Sequence, residues 1–139
     1  MKGMTSIVKN IGRFMNMFIL LFGLYVVAFG HSGPGGGFAG GVIVASSYIL
    51  IMLAFGREFL VKNLSPSLAM KLGCLGVLSF IGIAIGGLYF DRGAFFWNFL
   101  HQRHPEFIES GIISLAEFSI GLIVASLTYL VMFSLSTWK

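Results

Sequence analysis

The sequence predicts an all-α, polytopic membrane protein with four transmembrane helices and both termini on the cytoplasmic side. Three observations carry that expectation. Hydrophobic residues are 57% of the 139-residue chain and charged residues 10%, whereas soluble domains carry about 25% charged residues. A soluble fold of this composition would have almost nothing to present to water. The apolar residues also fall in four runs long enough to cross a bilayer. Lysine and arginine, finally, are spread unevenly over the two sides that those runs define.

The first span covers about 13–30, the stretch FMNMFILLFGLYVVAFG after Arg13. Lys2, Lys9 and Arg13 lead into it as they would into a signal peptide. The apolar stretch is longer than a usual signal core, however, and no small-x-small cleavage site precedes His31. The second span covers about 38–55 and the third about 72–90. Between them Ser65-Pro66 reads as a helix start near the cytoplasmic face, because proline suits the first helical turn. The fourth span covers about 111–133. At 1.5 Å per residue each can cross a hydrocarbon core of about 30 Å, the shorter two with local thinning or snorkelling. The loop DRGAFFWNFLHQRHPEFIES joins the third and fourth spans. Its aromatic stretch 94–100 is too short to cross and is expected to lie along the interface, anchored by Trp97. Trp138 reads as a further interfacial anchor. No repeat or composition break divides the chain, so residues 1–139 are expected to form a single membrane domain.

Orientation follows from the flanking cations. Lys2, Lys9, Arg13, Arg57, Lys62, Lys71 and Lys139 fall on one side. Arg92 and Arg103 fall on the other, set against Asp91, Glu106 and Glu109. The positive-inside rule places the first group, and both termini, in the cytoplasm. The net charge of +4 does not point to nucleic acid, because the basic residues are scattered over ends and loops and form no single face. Cys74 is the single cysteine; it excludes an internal disulfide and reads as a small buried hydrophobe.

Lipid supplies little drive for helices to associate, so close contact depends on small residues. Gly37, Gly41 and Ala45 share a face of the second span, and Gly82 and Gly86 form a GxxxG pair on the third, which also carries Gly73 and Gly76. Ser114, Glu117, Gly121, Ala125 and Thr128 form a narrow small and polar stripe on the fourth. That stripe is expected to face protein. Four thin helices can hardly enclose a pathway and bury every such face, so the chain reads as one subunit of a larger assembly.

Few residues could carry chemistry. The segment Gly30-His31-Ser32-Gly33-Pro34-Gly35-Gly36-Gly37-Phe38 joins the first two spans. It lacks the Lys-Ser/Thr ending of a phosphate loop, and no strand precedes it. Its glycines permit close backbone approach and positive φ, either for a tight turn or for a broken helix whose free N–H groups face an ion path. His31 can titrate near neutral pH or simply cap the first helix. Glu117 is the only acidic residue well inside a span, about six residues or 9 Å from its start. A carboxylate there is costly unless protonated, hydrated or paired, and such groups mark proton or cation routes or clamp neighbouring subunits. Asn10 and Asn16 are expected to hydrogen-bond between helices. His101 and His104 near Glu106 do not make a convincing metal set across Pro105. No paired carboxylates, activated nucleophile or CxxC motif is present, so an enzyme acting alone is not expected.

Gly30-His31, two residues, Pro34-Gly35-Gly36-Gly37-Phe38, one residue and Gly40-Gly41 together resemble the signature of the MnhB/MrpB family, small membrane subunits of multisubunit Na⁺/H⁺ antiporters. The resemblance extends over nearly the whole chain: the four-span layout, the small-residue-rich second span and the acidic residue early in the last. Ala39 departs from the Gln that many members carry, which argues against a required amide there. The resemblance implies a non-catalytic subunit of the plasma membrane, without a cofactor of its own. Its partners would be other Mrp-type membrane subunits, including large ones related to respiratory complex I. The complex would exchange Na⁺ for H⁺. Related modules serve membrane-bound hydrogenases, which leaves a redox-driven host as an alternative. In either host the chain would line a cation or proton path, with His31 and Glu117 as the titratable groups, or fill space between pumping subunits.

Overall fold

The computed structural model describes residues 4–30, 35–90, 96 and 111–138. Among these the chain is helical: α1 (Ser6–Phe29), α2 (Gly37–Phe55), α3 (Arg57–Asn63), α4 (Pro66–Phe90) and α5 (Ile112–Leu135). The long helices α1, α2, α4 and α5 are each long and apolar enough to span a membrane.

The second and fourth spans begin and end within two residues of the sequence expectation. The other two start earlier. α1 already runs from Ser6, because Lys9 and Arg13 do not interrupt it: their cationic ends lie 5.9 and 5.2 Å from the Phe55 ring centroid. α4 begins at Pro66, the start that Ser65-Pro66 signals. Ser65 Oγ accepts the Leu68 N–H at 3.3 Å, satisfying one of the donors a helix start leaves free. The short α3 has no counterpart among the sequence expectations. Gly56 turns the chain into it at φ 92°, a conformation that side chains rarely adopt. Leu60 then drops into a cluster with Met52, Ala69 and Tyr129, whose hydroxyl donates to the Leu64 carbonyl at 2.8 Å. The expected interfacial stretch 94–100 lies outside the described residues except for Phe96, a turn residue whose ring stands 5.3 Å from that of Phe80.

α1 lies against α2, α2 against α5, and α5 against α4, so α2 and α5 are central. Close approaches fix the directions. Gly12 meets Ala54, Gly23 meets Val44 and Gly40 meets Val27, so α1 and α2 are antiparallel. Gly37 meets Glu117 and Gly41 meets Gly121, so α2 and α5 are parallel. Gly73 meets Ser126 and Gly76 meets Ile123, so α4 runs against α5. No more than 33% of any span's most apolar stretch is buried within the chain. The remaining faces are left for lipid or other subunits.

Candidate functional site

Glu117 lies in the second turn of α5, where the first turn of α2 crosses it. The crossing is made by glycine. A Cβ on Gly37 would run into the Glu117 carbonyl oxygen and stand 3.0 Å from the Gly121 nitrogen. One turn on, a Cβ on Gly41 would stand 2.7 Å from the Gly121 carbonyl oxygen. Gly36, the residue before α2, has φ 126°, and a Cβ there would lie 3.4 Å from Glu117 Oε1. A side chain at Gly37 or Gly41 would push the start of α2 away from α5, and the positive φ of Gly36 disfavours a side chain there.

The polar groups brought together there are not fully used. Glu117 Oε2 is buried and has no hydrogen-bond partner among the described residues. No side chain among the described residues caps α2 at Gly36. The first N–H groups of a helix lack intrahelical acceptors, and together they form its positive end. An acceptor with an open lone pair therefore stands beside a helix end polarised to favour negative charge. Chemically, this arrangement can hold a proton, a water molecule or a small cation next to the carboxylate.

The structure treats the other sequence candidates unevenly. Gly30 and Gly36 almost touch, since a Cβ on Gly30 would overlap the Gly36 backbone, so the two ends of the glycine segment close on each other. Gly35 packs against Val26. Phe38 points outward and is 68% exposed. Gly40 is pressed onto Val27 of α1. His31, Gly33 and Pro34 lie outside the described residues, as do His101, His104 and Glu106. Gly121 and Ala125 lie against Gly41 of α2, while Ser114 and Thr128 are half-buried.

Two expectations are corrected, at Cys74 and at Asn16. Gly82, by contrast, is exposed with nothing within 4 Å of a Cβ, so its face is left for lipid or another subunit. The close face of α4 is the one through Gly73 and Gly76. Cys74 is exposed on α4, beside Met70, Val77 and Leu78, and is not a buried hydrophobe. Asn16 does not pair across helices: its Oδ1 is buried without a partner among the described residues.

Sequence reasoning also missed a polar seam. Ser79 of α4 donates to Ser119 of α5 at 3.0 Å, and Ser119 donates to the Leu115 carbonyl at 2.9 Å. Ser126 lies buried two turns further along α5. The i, i+7 spacing of Ser119 and Ser126 was the available signal; it marks one helical face.

Four helices long and apolar enough to span a membrane, packed through glycine crossings, define a small polytopic membrane protein. The particular family follows from comparison. A family model described as a domain related to the MnhB subunit of Na⁺/H⁺ antiporter matches residues 7–130. A Staphylococcus epidermidis protein, provisionally named antiporter subunit mnhB2, is 31% identical over 138 residues, covering 98% of this chain and 97% of the relative. The Staphylococcus aureus protein of the same name is 31% identical over 142 residues, with the same shares covered. An uncharacterised Methanocaldococcus jannaschii protein is 30% identical over 130 residues, covering 85% of this chain but 47% of the longer relative. The chain belongs to the MnhB family and is a subunit of a multisubunit Na⁺/H⁺ antiporter.

Proposed function

We propose that the chain lines a cation or proton pathway at a boundary between antiporter subunits. Glu117 is its titratable group, and the start of α2 is the polar wall beside it. The observation that carries this reading is the buried, unpartnered Glu117 Oε2 at the point where Gly36 and Gly37 admit the end of α2. An intramembrane carboxylate without a protein partner needs a proton, a water or a cation, and each is a passenger of an exchanger. His31, next to Gly30 in the sequence, would be a second titrating group of the pathway. The chain itself is non-catalytic and needs no cofactor. It sits in the plasma membrane with both termini in the cytoplasm, as its flanking cations require, so the Glu117 end opens outward. Its partners are the other membrane subunits of the antiporter, and the ions exchanged are Na⁺ and H⁺.

A second reading has its own support. The contacts at Gly37 and Gly41 run backbone to backbone, which is what a space-filling assembly subunit needs. One experiment separates the two. Vesicles carrying the intact antiporter with Glu117→Gln are compared with wild type for Na⁺-driven proton movement per assembled complex, over a range of pH. A pathway role predicts normal assembly with exchange near background. Normal exchange with an unaltered pH profile would remove Glu117 from the pathway, and a lower yield of complexes of full activity would favour the assembly role.

A further inference from the structure

The opposite end of the bundle carries a second cleft that neither the antiport reading nor the family accounts for. It has a volume of about 590 Å³ and lies between the ends of α2 and α5. Its walls are amphipathic along the membrane normal. Met52, Leu53, Met132 and Leu135 form the part toward the bilayer, and Arg57 stands where the helices end. Trp138, 87% exposed, marks the rim.

Among the described residues, Arg57 is a cation without an anion. Its guanidinium lies 4.4 Å over the Phe133 ring, and it forms no ion pair among the described residues. Several helix-end carbonyls nearby already accept hydrogen bonds. Gly56 N–H donates to Met52 and Met4 N–H to Ala54. The Phe133 carbonyl accepts the Thr137 hydroxyl at 2.8 Å, and the Met132 and Ser134 carbonyls accept the Ser136 and Thr137 N–H groups. A half-buried guanidinium at a membrane boundary thus keeps its fork of donors uncommitted, the geometry that pairs with phosphate. Lys9, Arg13, Lys62 and Lys71 lie at the same end, where Glu58 is the one carboxylate among the described residues. The field there favours an anion, and the apolar wall favours one that carries a hydrocarbon chain.

We propose that this cleft binds an anionic phospholipid, its phosphate on Arg57 and its upper acyl chain along Leu53, Met132 and Leu135. The proposal rests on the membrane placement of the helices and is independent of the ion pathway.

The test uses the full chain with Trp97→Phe, which leaves Trp138 as the only tryptophan. It is reconstituted in mixed phosphatidylglycerol and phosphatidylcholine vesicles in which one lipid carries a brominated, indole-quenching acyl chain. Phosphatidylglycerol is expected to associate at Trp138 about fivefold more strongly than phosphatidylcholine, the ratio one basic residue provides near an anionic surface. Arg57→Gln should bring that ratio to about one, and Arg57→Lys should retain most of it. Equal quenching by the two lipids in the wild-type chain would overturn the proposal. So would loss of the preference on adding inorganic phosphate, which would make this a site for free anions. In the purified antiporter, Arg57→Gln should lower the phosphatidylglycerol retained per complex. Unchanged lipid with reduced complex yield would mean that Arg57 pairs with a neighbouring subunit, and would also overturn it.

Discussion

α5 meets its two neighbours through two different seams. Toward α2 the contact is made by glycines, Gly37 on Glu117 and Gly41 on Gly121, with Glu117 Oε2 left unsatisfied. Toward α4 it is made by Gly73 and Gly76 with a Ser79–Ser119 hydrogen bond, and both hydroxyls are used. Both seams let backbones come close, so small residues alone do not separate them. Their polar accounting does. Where Ser79 and Ser119 bond to each other, the seam holds helices together. A seam that keeps a buried carboxylate open holds a group that its own contacts do not stabilise, and the proposed pathway role rests on that group.

The contrast can be broken at several points. Gly37→Ala is expected to be the most damaging, because its Cβ meets a backbone carbonyl that cannot turn aside. Overpacking of about 1–3 kcal/mol should lower the yield of assembled complex in mild detergent. Tyr129→Phe removes the bond to the Leu64 carbonyl beside α3 and should cost about 1 kcal/mol in unfolding from detergent micelles. Ser79→Ala and Ser119→Ala, alone and together, should give a coupling of about 0.6 kcal/mol in a double-mutant cycle, with exchange per complex unaltered. A loss of exchange in that pair would erase the distinction between the seams. Gly82→Ala should be the mildest, within about 0.5 kcal/mol, since its Cβ enters open space.

Much of this arrangement was legible in the sequence because lipid imposes a simple code. Four apolar runs gave four spans, and a lone carboxylate in one of them drew attention to Glu117. What covers that carboxylate was not legible, because Gly36 and Glu117 lie far apart in the chain and no periodicity relates them. α3 escaped because seven residues, with Arg57, Glu58 and Lys62 among them, are too few for an apolar period to emerge. The GxxxG pair at Gly82 shows a different limit. Spacing reports that a face can be approached, and says nothing about whether the approaching helix belongs to the same chain.

The order of the helices has a consequence for how the subunit is made. α1 and α2 form one antiparallel pair, α4 and α5 another, and the pairs join along α2 and α5. Each pair can enter the bilayer as a finished hairpin, but the Gly37–Glu117 contact must wait until the last span has left the ribosome. Until then the glycine groove of α2 has no occupant. The subunit is thus assembled from its halves much as the larger complex is assembled from its subunits, and a chain divided between Asn63 and Ser65, expressed as two pieces, should reunite across the same groove.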